Sequence, residues 1–173
     1  MRALIILSMV LAGGCAGEGE EPIDLVADLE IGSASAAGLG FLPVLDGDDV
    51  ELIPGSQGGF HVWTGLRVKG AKGELYLDRE ARLASDGTLV LRAQEQYLEV
   101  PDAAMEGWWE RDEAAASFMC PAPVGITIYD SALDFTARLY DGDGELLAED
   151  SVTLTPVCPT GEQESICQTI CDG

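Results

Sequence analysis

Between Phe60 and Lys69 the side chains alternate with period two. Phe60, Val62, Thr64, Leu66 and Val68 fall on one face, and His61, Trp63, Gly65, Arg67 and Lys69 on the other. A strand with one face buried gathers such a set; a helix would scatter it. The register is also constrained, because a slip of one residue would send His61, Arg67 and Lys69 inward, and burying charge without partners is costly. Phe60, Val62 and Leu66 are therefore expected in the core. His61 is expected on the opposite face beside Trp63, where its removal would leave stability nearly intact.

The same period recurs along the chain. After the turn Gly70-Ala71-Lys72-Gly73, Leu75, Leu77, Ala81 and Leu83 alternate with charged residues, Ser85-Asp86-Gly87 signals a hairpin, and 89–100 is strand-like until Pro101. Leu133, Phe135, Ala137 and Leu139 then alternate with Asp134, Thr136, Arg138 and Tyr140, and Asp141-Gly142-Asp143-Gly144 turns the chain into a return strand over 145–155. Adding 24–31 and 50–53 gives about seven strands at the spacing of an antiparallel β-sandwich. Two stretches depart from the pattern. Residues 102–117, rich in alanine and acids and without β-branched residues, read as a short helix around Trp108 and Trp109. In the tail 160–173, residues 162–170 read as a helix of about two turns.

The strand pair joined by Asp141-Gly142-Asp143-Gly144, with Pro156 and Cys158 following, resembles the last hairpin of immunoglobulin-like domains in bacterial surface proteins. The resemblance implies an all-β, immunoglobulin-like sandwich over 23–159, with a short helical insertion and a disulfide-tied tail. It carries no functional residue, since sandwiches of this kind host many functions.

At the N-terminus Arg2 precedes the apolar run 3–12 and the small residues Gly13 and Gly14. This is the layout of a signal peptide, and the run is well short of the roughly 20 residues needed to span a bilayer. Leu11-Ala12-Gly13-Gly14-Cys15 resembles the lipobox of bacterial lipoproteins, with Ala12 where that family usually carries leucine. The resemblance implies removal of 1–14, a palmitate-type lipid on Cys15, and a membrane partner held through that lipid. Because Ala16 rather than aspartate follows the cysteine, it also implies an outer-membrane location facing the periplasm or the exterior. The alternative is a secretory signal cleaved near Ala16. Residues 15–22, with Glu18, Glu20 and Glu21 and no large apolar side chain, are expected to form an acidic tether.

Thirty-one acidic residues against nine basic ones give a net charge of −22. Such a charge repels nucleic acid and anionic headgroups and favours cations or a basic partner. It also serves simply to keep an exposed domain in solution.

Apart from Cys15, four cysteines remain: Cys120, Cys158, Cys167 and Cys171. In an exported chain an even number implies two disulfides, with three possible connectivities. Cys120 with Cys158 is preferred because both flank the C-terminal strands, leaving Cys167 with Cys171. Zinc is the competing use, disfavoured by a single histidine, no Cys-x-x-Cys pair and an oxidising destination.

Chemistry has few places to sit. His61, the only histidine, would have to carry any Ser-His-Asp or Cys-His site, with Ser56 nearby in sequence, and no Gly-x-Ser-x-Gly elbow occurs. Asp46 and Asp48 in one turn, and Asp141 and Asp143 in another, could offer oxygens to calcium, although hairpin turns explain them as well. The glycine-rich run 54–59 leads into Phe60, His61 and Trp63, which with Trp108 and Trp109 could make a sugar- or peptide-binding face or simply fill a core. The combined expectation is a non-enzymatic envelope lipoprotein without a cofactor, acting by binding or structural support. A calcium- or carbohydrate-binding module and a hydrolase using His61 are the rivals.

Overall fold

In a computed structural model of the chain, residues 26–173 are described apart from 57 and 93–95. The expected signal peptide, Cys15 and the tether lie outside the described residues.

Two six-stranded sheets form the domain. One centres on β5 (Phe60–Lys69), which pairs along one side with β1 (Asp28–Ser33) and β4 (Ile53–Pro54), and along the other with β10 (Ala115–Cys120) and β9 (Trp109–Glu110); β2 (Leu42–Pro43) extends β1. The other runs β3 (Asp48–Glu51), β12 (Leu146–Val157), β11 (Leu133–Tyr140) and β6 (Gly73–Leu83), with β7 (Leu89–Arg92) and β8 (Gln96–Val100) sharing the far edge of β6. All pairings are antiparallel except that of β3 with β12. The turn at 70–72 passes the chain from one sheet to the other.

The inner faces supply the core. Phe60, Val62, Leu66 and Val68 of β5 are at most 3% exposed, as are Leu75, Leu77 and Ala81 of β6 and Leu133, Phe135, Ala137 and Leu139 of β11. Full burial of a large apolar side chain is worth ~1.5–3 kcal/mol. The outer face of β5 is covered too. Gly32 and Gly65 are cross-strand partners, and their missing side chains let Phe41 lie on the sheet. A Cβ on Gly32 would sit 2.5 Å from the Phe41 ring, and one on Gly65 would sit 2.4 Å from the Ser33 carbonyl oxygen. His61, further along this face, is only 5% exposed, so the face is covered there too rather than turned to solvent.

Other expectations also need correction. Residues 102–117 are not one helix: a 3₁₀ turn at Asp102–Met105 is followed by β9 and the start of β10. Ala115, Ser117 and Met119 are buried at period two, and that spacing prevailed over alanine's helix propensity. The stretch 89–100 divides into β7 and β8, and 50–53 divides at Leu52 between β3 and β4, which belong to different sheets. The strands therefore outnumber the seven expected. The tail does form a helix, α1 (Glu164–Ile170).

Two disulfides are present with a different pairing: Cys120 with Cys171 and Cys158 with Cys167, at Cα separations of 5.0 and 5.8 Å. Cys120 ends β10 in one sheet and Cys158 follows β12 in the other, so the expected bridge between them is replaced by two bridges to the tail. Cys167 and Cys171, four residues apart, each reach one sheet.

Gly65→Ala should lower stability by about 1–3 kcal/mol through overpacking, read as a reduced thermal midpoint. Gly142→Ala, where an added Cβ meets nothing within 4 Å, should leave the midpoint in place. Val62→Asp should prevent folding, seen as loss of the β signal in circular dichroism. A folded Val62→Asp variant would contradict the inner-face assignment.

Candidate functional site

The side chains expected to form an aromatic face are spread over three environments. On the covered face of β5, His61 and Trp63 meet edge-to-face with ring centroids 4.5 Å apart. Backbone pairing holds His61 between Ile53 of β4 and Phe118 of β10. Burial pushes the imidazole pKa below its usual 6.5, so the ring is neutral at pH 7. Ser56, in contrast, is exposed. Trp63 lines a cavity of about 110 Å³ with Ser33, Ala36, Val50 and Glu51. That is far less than the ~300–1,000 Å³ of a ligand pocket.

Further along the same face, the Arg67 guanidinium lies 4.8 Å from the Phe41 ring centroid and 4.6 Å from that of Trp108. Its Nε donates to Glu30 Oε2 at 2.8 Å. Trp108 is thus engaged in a cation–π stack, even though it is partly exposed.

Trp109 stands apart from both. It lines an open groove of about 580 Å³ together with Lys72, Gly73, Glu99, Val100, Pro101 and Asp102. β8 supplies Glu99 and Val100, the following 3₁₀ turn Asp102, the inter-sheet turn Lys72, and β9 the tryptophan. Lys72 Nζ is 2.8 Å from Asp102 Oδ1, and this hydrogen bond holds the carboxyl below its ordinary pKa. An indole beside carboxylates and an ammonium offers stacking and hydrogen bonding in one place, and the volume suits a small ligand.

A polar cluster within the sandwich escaped the sequence reading. Arg79 occupies an inward position of β6 and is 9% exposed. Its Nη1 donates to Ser117 Oγ at 3.1 Å and Ala115 O at 3.4 Å, while Ser117 and Thr64 hydroxyls are 2.8 Å apart. Desolvation, reinforced by the charge of Arg111 and opposed by that of Asp78, brings the Arg79 pKa down to about 10, leaving it cationic at neutral pH. The available signal was a charged residue at an apolar position of the run Leu75, Leu77, Arg79, Ala81.

The acidic turns use their oxygens internally. Asp46 Oδ1 accepts from Thr153 N, Asp48 Oδ2 from Leu45 N, and Asp141 Oδ1 from the amides of Asp143 and Glu145, all at 2.8–2.9 Å. Among the described residues, the one cluster with metal-ligand spacing is Cys158, Cys167 and Cys171, each already in a disulfide. Also among the described residues, no helix is long and apolar enough to cross a membrane.

No protein-family model matches the sequence, and no curated protein matches it. The site is therefore read from its own geometry.

The His61 environment predicts a pH dependence. With its folded pKa below the unfolded value of about 6.5, the contribution is fully present above that pH. It is lost as the pH falls through 6.5 and levels off below the folded pKa. His61→Phe cannot titrate there, so thermal midpoints between pH 8 and 5 should fall more in the natural chain than in this variant. Parallel profiles would remove His61 from the pH response.

Proposed function

We propose that this chain is a lipid-anchored envelope protein that acts by non-catalytic binding through the groove of Trp109. The single observation that carries the binding reading is the open, roughly 580 Å³ groove, in which an indole lies among Lys72, Glu99 and Asp102. Its mixture of a stacking surface with hydrogen-bonding groups of both signs suits a hydroxyl-rich ligand such as a glycan segment. The anchor reading rests on Leu11-Ala12-Gly13-Gly14-Cys15 and its resemblance to a lipobox.

The strand order supports an immunoglobulin-like assignment. In that fold the first two consecutive core strands belong to opposite sheets, the second lies beside the penultimate strand, and the last two form a hairpin. Here β5 and β6 lie in opposite sheets, β6 neighbours β11, and β11 pairs with β12. The inter-sheet disulfide of antibody domains has no counterpart, since both bridges run to the tail.

A hydrolase reading through His61 has less support, because the imidazole is buried and Ser56 lies outside on the turn. Calcium has less support than sugar, because the turn carboxylates already accept backbone hydrogen bonds.

Glycan-array binding by the natural chain and by Trp109→Ala tests the groove. Saturable binding reduced at least tenfold in Trp109→Ala is the expected outcome, while equal binding by both chains would place the ligand elsewhere. Mass spectrometry of the mature N-terminus tests the anchor independently. An acylated Cys15 is expected, and an unmodified terminus at or after Ala16 would end that reading.

A further inference from the structure

The two disulfides converge on one helical turn. Cys167 lies in α1 and Cys171 caps its end, so residues bonded to different sheets share one face of a single turn. Their Sγ atoms are 3.9 Å apart although they are not bonded to each other. The sulfurs of Cys158, Cys167 and Cys171 all fall within 4.8 Å of one another. Exposure is uneven: Cys120 is 4% exposed and Cys167 and Cys171 are fully buried, whereas Cys158 is only partly buried. A thiol arriving from solvent meets Cys158 first.

We propose that Cys158 is the entry site for thiol–disulfide exchange with an external dithiol, and that Cys167 relays the exchange to the buried Cys120–Cys171 bridge. The external thiolate attacks Cys158 Sγ and forms a mixed disulfide; the Cys158–Cys167 bond breaks, and its electron pair leaves on Cys167 as thiolate. That thiolate attacks Cys171 Sγ. The Cys167–Cys171 bond forms, the Cys120–Cys171 bond breaks, and Cys120 leaves as thiolate and takes up a proton. The second thiol of the reagent then attacks its own sulfur in the mixed disulfide, closes to a cyclic disulfide and releases Cys158 as a thiol. One dithiol is oxidised and one protein disulfide is reduced.

Two features favour the relay over simple loss of the outer bridge. A thiolate generated on fully buried Cys167 is poorly solvated, and the electrophilic sulfur of Cys171 lies only 3.9 Å away. Residues four apart in a helix have Cα atoms about 6 Å apart, inside the range that a disulfide spans, and their Cβ atoms, about 5–6 Å apart at this spacing, reach the roughly 4 Å of a disulfide through a local tightening of the turn that Cys171 caps. The consequence exceeds the chemistry invested. A bridge spanning 51 positions and one spanning 9 are exchanged for a bond within a single turn, and the tail loses its disulfide ties to both sheets. Reduction by one dithiol thereby leaves α1 and its flanks held to the sandwich by the chain itself and by hydrogen bonds such as Ile128 N to Cys171 O.

The full oxidised chain treated with one equivalent of dithiothreitol, acid-quenched, alkylated and peptide-mapped tests the relay. The expected first two-thiol species is labelled at Cys120 and Cys158 and retains a Cys167–Cys171 bond. Labels at Cys158 and Cys167 with Cys120–Cys171 intact would overturn the proposal, as would labels at Cys120 and Cys171. In Cys167→Ser, reduction of Cys120–Cys171 should slow at least tenfold, and an unchanged rate would also overturn it. Should that variant fail to fold, the mapping of the natural chain stands as the deciding measurement.

Discussion

The contact of β5 with the sheet carrying β6 and β11 is the interaction on which the rest of this domain depends. β5 alone touches four other strands by hydrogen bonding, while its inward side chains share one core with Leu77, Phe135 and Leu139 of the opposite sheet. Burial of apolar area is non-directional and does not by itself select a register. The ladder hydrogen bonds of β5 do select one, because every neighbour must satisfy its amides while keeping the apolar set inside. The turn at 70–72 makes the two requirements compatible by sending the next strand to the opposite sheet.

Strand positions with a strict alternation were legible from residues alone. Phe60 to Lys69 and Leu133 to Tyr140 have their observed bounds written in their side chains. What could not be read was the far side of β5. Alternation distinguishes two faces, but it does not reveal that a segment from elsewhere will cover the polar one. The cover depends on Gly32 and Gly65 facing each other across strands, a coincidence visible only once β1 and β5 are paired. The helix expected over 102–117 failed for a related reason: local propensity is worth tenths of a kcal/mol per residue, and a free sheet edge beside β5 offers hydrogen bonds to any extended segment.

The groove was half legible. Trp109 stood out as a tryptophan in an acidic stretch, but Lys72, Glu99 and Asp102 come from turns and strand ends whose meeting is a matter of topology. The disulfide pairing was similarly hidden, since spacing along the chain cannot tell that Cys120 and Cys158 finish in different sheets. Arg79 shows the reverse case. Its place in the pattern was plain, yet its meaning required the partner strand, where Ser117 and a carbonyl receive the guanidinium. A buried cation with such neutral partners is costly to desolvate, and the hydroxyl of Thr64 steadies Ser117 in that role.

Both bridges end in the tail, and that placement bears on the order of events during biogenesis. In a chain made from its N-terminus, neither bond can close until residues 167 and 171 have been added, by which time every strand has already been synthesised. The bridges therefore cannot guide strand pairing while the strands themselves are still being made. Covalent closure of the domain, which joins the two sheets through one helical turn, thus waits on residues that follow every one of the described strands.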